Sequence, residues 1–292
     1  MLAYSPPIFL TAVRMLIAGS LLLFFISLRK RKEFHLNKVQ IFSLFVLGFF
    51  SIYLTNILEF WGLQYLSAAK TCFIYSLSPF FAALFSYLHF KEKITTRKIF
   101  GLLIGFLGFI PILTMQSDSE NILSAFSILT WPELAIMGAA LFSVYGWVVL
   151  RLIVKNHTVS PLMANGSSMM IGGIFALVHS YFFEAWNPVP IAAGSSVKFV
   201  QGILLITLIS NILCYNLYGF MLKRFTATFL SFAGLLSPIF ASLNSWMLMG
   251  EKPSWLIFLS TGIVSFGLWI VYKEELRLGY ILRKKKVLSK SS

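Results

Sequence analysis

Ser78-Pro-Phe-Phe-Ala-Ala-Leu-Phe-Ser-Tyr-Leu-His-Phe-Lys-Glu-Lys93 and Ser237-Pro-Ile-Phe-Ala-Ser-Leu-Asn-Ser-Trp-Met-Leu-Met-Gly-Glu-Lys252 are two versions of one apolar segment, 159 residues apart. Ser78-Pro79 matches Ser237-Pro238, Phe81-Ala82 matches Phe240-Ala241, and Glu92-Lys93 matches Glu251-Lys252. On either side Ala68 matches Ala227 and Gly108 matches Gly267, and upstream Ser5-Pro6 roughly matches Ser160-Pro161. So many coincidences at nearly one offset indicate an internal repeat. The loops that follow the two segments differ in charge. Lys91–Lys98 is strongly basic, whereas Glu251–Ser254 is nearly neutral. Equivalent loops therefore lie on opposite faces of a membrane, which requires an inverted repeat with an odd number of spans per half.

The composition agrees. Of 292 residues 58% are hydrophobic, the mean hydropathy is +0.82 and only 12% are charged, against about 25% in a soluble domain. A chain with 30 Phe and 10 acids has too little polar surface to face water, which excludes a soluble enzyme and a disordered regulator. Apolar spans are expected at 8–28, 39–66, 70–90, 98–115, 132–154, 160–183, 198–222, 226–250 and 255–272. Each is long enough to cross about 30 Å of hydrocarbon at about 1.5 Å per helical residue. None alternates with a period of two, so helices are expected and barrel strands are not.

The formal charge of +14 is concentrated in loops. One set of loops, with Lys98, Arg151 and the tail after Tyr272, holds 20 of the 24 basic residues; the opposite loops hold Lys70, Lys198 and Lys252. The first side is expected to be cytoplasmic, as is the C-terminus. Segment 116–131, with Asp118 and Glu120, falls outside. Basic residues scattered over loops do not form a nucleic-acid groove. The tail Arg283-Lys-Lys-Lys286 is expected to touch anionic lipid.

Ser5-Pro-Pro-Ile-Phe-Leu-Thr-Ala-Val-Arg-Met-Leu-Ile-Ala-Gly19 resembles the second helix of the drug/metabolite transporter superfamily, EamA type. So do the helix–Ser-Pro–helix–Glu-Lys blocks at 70–93 and 229–252, each followed by a Gly-rich span. The resemblance covers essentially the whole chain and implies an all-α polytopic membrane protein of two inverted five-helix halves. The halves are expected at 1–115 and 132–272, with a cytoplasmic tail at 273–292. The pattern's first helix has no counterpart here, leaving nine. Either the start lies further upstream, in which case an in-frame apolar stretch of about 20 codons precedes it, or the protein works with nine helices. The superfamily implies secondary transport of a small organic metabolite across a bacterial inner membrane. Its members include amino-acid exporters and carriers of S-adenosylmethionine and S-adenosylhomocysteine.

Glu59 is the one acid deep in a span, at a cost of about 2.5–3.5 kcal/mol if it faced lipid. It must face protein or water. Asn56 shares its helical face. At the repeat offset, Ile52, Asn56 and Glu59 correspond to Asn211, Tyr215 and Tyr218, so both stripes are expected to face a central cavity. Arg14 is the one base in mid-span, placed for a carboxylate or phosphate or for Glu59. Thr71, Tyr75 and Ser78 form another polar stripe, and Trp61, Tyr145 and Trp147 add aromatic surface. An acid among aromatics suits a cation bearing a planar ring, which favours the S-adenosylmethionine type of substrate, with a proton or counter-substrate as coupled partner. The expected binding set is Arg14, Asn56, Glu59, Tyr75, Asn211, Tyr215 and Tyr218. Pro79 and Pro238 are expected to bend their helices as hinges. Glu92 and Glu251 are expected in solvated pairs with Lys93 and Lys252. Gly101-x-x-x-Gly105 and Ala135-x-x-x-Ala139-x-x-x-Ser143 mark close helix approach, within the chain or across a homodimer.

Other chemistries lack their residues. His35, His89, His157 and His179 are scattered without metal spacing, and Cys72 and Cys214 are isolated in apolar spans. There is no H-E-x-x-H, G-x-S-x-G or P-loop motif, so no metal, cofactor or enzymatic role is expected. A non-transporting assembly protein has no use for matched polar stripes.

Overall fold

The computed structural model describes residues 4–29, 31–66, 68–116, 130–155, 159–186, 189–192, 194, 196–237, 240, 243–244, 246–247, 250 and 255–281. Every regular element among them is helical. In chain order these are α1 (Pro7–Arg29), α2 (Lys38–Leu63), α3 (Ala68–Tyr75), α4 (Ser78–Phe90), α5 (Thr96–Gln116), α6 (Trp131–Lys155), α7 (Pro161–Phe183), α8 (Ser196–Met221), α9 (Ala227–Leu236) and α10 (Trp255–Arg277). Seven helices or helix pairs among the described residues are long and apolar enough to cross a membrane. The protein is an all-α polytopic membrane protein. Pro238, Glu251, Lys252, Asp118 and the tail from residue 282 lie outside the described residues.

Helix starts follow local chemistry. Asn37 and Gln40 form a reciprocal capping box at α2, each accepting the other's backbone N–H at 2.8 Å. Ser160 caps α7, with Pro161 in the first turn. Thr226 caps α9 by accepting the Phe229 amide at 3.0 Å. Lys91 ends α4 in the left-handed region, φ 53°.

The repeat is visible in the packing. α1 lies along α7 and α5 along α10, and these are the two largest helix interfaces. Each member of these pairs occupies its partner's position in the other half, as a twofold axis between the halves requires. Gly101 and Gly267 face each other across α5 and α10: a Cβ on Gly267 would lie 2.6 Å from the Gly101 carbonyl oxygen. Gly48 and Gly172 do the same between α2 and α7, where a Cβ on Gly172 would lie 2.7 Å from the Gly48 oxygen. Dispersion between closely approached backbones holds such pairs together where lipid removes the hydrophobic drive. Gly105 meets the Phe232 ring, and Ala139 is fully buried. Gly101, Gly105, Ala135 and Ala139 are therefore buried in packing within the chain.

The third span is two helices. α3 ends at Tyr75 and α4 begins at Ser78, with Pro79 in its first turn, where a missing N–H costs nothing. The break lies in the turn just before Pro79, where its ring and missing N–H exclude a helical bond to the Tyr75 carbonyl. Ser76 Oγ donates to the Phe73 carbonyl at 2.5 Å. In the second half, Ser237 Oγ donates to the Gly234 carbonyl at 2.6 Å beside a 3₁₀ turn, Gly234–Leu236.

Glu92 departs from its expected solvated pair. It is 3% exposed and binds Arg151 at 2.7 Å. Arg151 also lies over the Phe90 ring, 4.5 Å from its centroid. Lys98 binds Glu275 at 2.7 Å with both side chains buried, and Thr226 donates to Glu275 at 2.5 Å. Lys98 and Arg151 are therefore interior clamps between the halves as well as marks of the basic side. A buried charge persists because its partner offsets its desolvation, and charge counting along a loop does not reveal that partner.

Candidate functional site

α2 and α8 share a backbone irregularity. Leu47–Leu54 and Thr207–Cys214 are π-helical, so each turn holds one residue more than an α-turn. The Thr55 amide reaches back to Phe50 O and the Tyr215 amide to Ser210 O. An asparagine follows each widened stretch. Asn56 Nδ2 donates to Ile52 O at 2.5 Å, and Asn216 Nδ2 donates to Ile212 O at 2.7 Å. The side-chain amide satisfies a carbonyl that the wider turn displaces, as apolar surroundings demand.

The two stretches flank a cavity of about 360 Å³ between the halves. From the first half come Arg14 of α1, Ser51, Ile52, Thr55, Asn56 and Glu59 of α2, and Tyr75 at the end of α3. From the second come Ser143, Trp147 and Leu150 of α6, Asn165 and Ser168 of α7, and Ser210, Cys214, Tyr215 and Tyr218 of α8. Among the described residues, Arg14 and Glu59 are the only charged ones in this lining.

Six of the seven expected binding residues meet here: Arg14, Asn56, Glu59, Tyr75, Tyr215 and Tyr218. Arg14 Nη2 donates to Asn56 Oδ1 at 2.9 Å, so both ends of the Asn56 amide are engaged. Tyr75 donates its hydroxyl to Glu59 at 3.1 Å. The Tyr218 hydroxyl and Arg14 Nε are buried without a partner among the described residues. The Trp147 and Tyr218 rings, also in the lining, lie 5.0 Å apart. The result is a cleft that combines one cation and one anion with several aromatic side chains.

Asn211 stands apart from the cavity. It is fully buried and donates to Met15 Sδ at 3.0 Å. The lining pairs Ser51/Ser210, Thr55/Cys214, Asn56/Tyr215 and Glu59/Tyr218 all keep the offset of 159, whereas the π-stretches and the asparagines that follow them match at 160. Asn216, the structural counterpart of Asn56, accepts from Asn165 Nδ2 at 3.1 Å.

The serines and Thr55 are functional candidates that the stripes missed. Ser51, Thr55 and Glu59 have i, i+4, i+8 spacing, as do Ser210, Cys214 and Tyr218, and that period was legible. Asn165 had the same signal as Asn56, an amide in an apolar span. Of the other aromatic residues singled out, only Trp147 reaches the cavity. Tyr145 packs on Phe50, Phe85 and His89. Trp61 lines a second hollow of about 550 Å³ at the N-terminal end of α1. The Glu184 carboxylate in that hollow accepts the Ile8 and Phe9 amides at 2.9 and 2.8 Å, so it caps α1. Thr71 and Ser78 are buried outside the cavity.

The profile of the EamA-like transporter family matches residues 1–114 and 130–273. An S-adenosylmethionine/S-adenosylhomocysteine transporter of Chlamydia muridarum is 40% identical over 280 residues, covering 95% of this chain and 86% of the relative. One of the same description from Chlamydia trachomatis serovar L2 is 39% identical over 280 residues, covering 95% and 84%. A solved crystal structure superimposes with a TM-score of 0.75 over 94% of this chain and 89% of that one, at 17% identity, and so speaks to the fold alone. With its profile match running through both halves, the chain belongs to the EamA-like transporter family.

Proposed function

We propose that this protein is a secondary transporter of S-adenosylmethionine and S-adenosylhomocysteine in a bacterial inner membrane, with its C-terminus in the cytoplasm. The observation that carries the reading is the 40% identity to a transporter of that description along 95% of the chain. The cavity supports it: about 360 Å³ lies within the range of small-molecule sites, about 300–1,000 Å³, and combines opposite charges with aromatic faces. Arg14, Glu59, Tyr75, Tyr215 and Tyr218 contact the substrate, and Asn56 holds Arg14. Asn211 has no part in the site, because Met15 occupies it. Access alternates as the halves rock around the cavity, with the break before Pro79 as a flexing point. A counter-substrate or a proton completes the cycle.

The test is uptake and counterflow of labelled S-adenosylmethionine in cells expressing the protein. Saturable uptake, accelerated by S-adenosylhomocysteine preloaded on the far side and lost in Glu59→Gln at unchanged membrane expression, is the expected result. Uptake of neutral or acidic amino acids without S-adenosylmethionine overturns the substrate assignment. Full transport by Glu59→Gln returns Glu59 to a packing role.

A further inference from the structure

The two ligands of the proposed function differ by one methyl group and one positive charge. S-adenosylmethionine carries a sulfonium, and S-adenosylhomocysteine carries a neutral thioether. Both keep the same α-amino-acid end and the same adenine nucleoside. The described lining of the cavity has a single acid, Glu59, which can face the sulfonium or the ammonium. The two choices predict different transporters.

Geometry separates them. In an α-amino acid the ammonium and the carboxylate sit on one carbon, so the groups that bind them must be neighbours. The sulfur lies three bonds further along. Arg14 and Glu59 are neighbours through Asn56: Arg14 Nη2 is 2.9 Å from Asn56 Oδ1, and Glu59 follows Asn56 by three residues on the same helix. Arg14 Nε is buried without a partner among the described residues, leaving a donor for a carboxylate. Tyr75, on Glu59 at 3.1 Å, fixes the acid's orientation. The described lining contributed by α6 and α8 carries no charge, but it has Trp147 and Tyr218 with rings 5.0 Å apart and a buried Tyr218 hydroxyl without a partner among the described residues. A purine takes both stacking and a hydrogen bond there. If Glu59 served the sulfonium instead, Arg14 would hold the carboxylate alone. The thioether ligand would then leave Glu59 with the Tyr75 hydroxyl but no cationic partner on the ligand, which penalises one of the two exchanged species.

We propose that Arg14 and Glu59 together bind the α-amino-acid end common to both ligands, with the nucleoside toward Trp147 and Tyr218, so that the site does not read the sulfur. This rests on the substrate assignment above and deepens it. A carrier of this design binds both species alike, and their gradients alone decide the direction of exchange.

The experiment is equilibrium binding to the purified full chain in detergent. The ligands are S-adenosylmethionine, S-adenosylhomocysteine and 5′-methylthioadenosine, which keeps the nucleoside and loses the amino-acid end. For the wild type the first two bind within a few-fold of each other, and methylthioadenosine binds roughly 10- to 100-fold more weakly. Glu59→Gln and Arg14→Gln each weaken the first two by similar factors and leave methylthioadenosine unchanged. Trp147→Leu weakens all three. Loss confined to S-adenosylmethionine in Glu59→Gln places the acid at the sulfonium and overturns the proposal. If the charge variants do not fold, the wild type alone still decides: methylthioadenosine binding as tightly as S-adenosylhomocysteine overturns it. Binding of none of the three by folded wild-type protein overturns the substrate assignment itself, a result separate from either pattern.

Discussion

The two halves of this protein share a backbone and differ in what they attach to it. Each has a π-helical stretch of eight residues followed by an asparagine whose side chain satisfies a carbonyl four residues back. In the first half that asparagine also accepts from Arg14, and Glu59 stands one turn further on. In the second half it accepts from Asn165, and the cavity receives Tyr215 and Tyr218 instead. Duplication supplies two equivalent frames around one cavity. Divergence of a few side chains gives the first half the charged pair Arg14 and Glu59, and the second half Trp147, Tyr215 and Tyr218. A repeated backbone thereby lines an asymmetric cavity.

The largest expected effect comes from breaking the joint between the halves. Arg151→Met leaves Glu92 buried and unpaired, at a cost of about 3–5 kcal/mol. Folded protein recovered from membranes falls sharply, and thermal unfolding in detergent shows it. The double change Arg151→Met with Glu92→Met recovers most of the loss, because an apolar pair has no charge to desolvate.

Exchanging side chains between the halves comes next. Glu59→Tyr combined with Tyr218→Glu keeps the composition of the cavity but moves its acid away from Arg14. Uptake of S-adenosylmethionine falls at least tenfold, as expected when a charged hydrogen-bonding partner is lost, while membrane expression persists. Uptake at the wild-type rate would show that the two positions are interchangeable.

The asparagines sharpen the same contrast. Asn56→Ala and Asn216→Ala each remove a bond to a displaced carbonyl, so each destabilises by about 0.6–2 kcal/mol. Only Asn56→Ala also releases Arg14. Its KM rises several-fold, whereas that of Asn216→Ala stays near wild type. Equal KM changes would remove the assigned difference. The smallest effect is that of Tyr218→Phe. Its hydroxyl is buried with no partner among the described residues, so its removal costs the free protein no hydrogen bond and the unfolding temperature does not fall. Substrate affinity weakens by a few-fold.

Much of this was legible in the residues. Nine apolar stretches, a repeat at one offset and a lopsided distribution of basic loops specify membrane helices in two related halves. Lipid imposes the reading, because backbone polar groups there must be satisfied within the helix. Glu59 and Arg14 were legible for the same reason: a charge in a span has to face something other than hydrocarbon. Ser51, Thr55, Asn165 and Ser168 were harder to choose, since small polar residues pass through membrane helices at little cost and carry no comparable signal.

Contacts between distant segments belong to the tertiary structure. Glu92 reads as a loop residue next to Lys93, yet it is buried against Arg151, 59 positions away. Asn211 reads as a cavity residue, yet it is turned onto Met15. Periodicity names the face of a helix but not its neighbour. Hydropathy, charge and repetition along the chain therefore determined the membrane, the helical class and the internal repeat. The packing of the halves against each other decided which polar residues share the cavity and which charges clamp its end, because partner identity depends on where the helices come to rest.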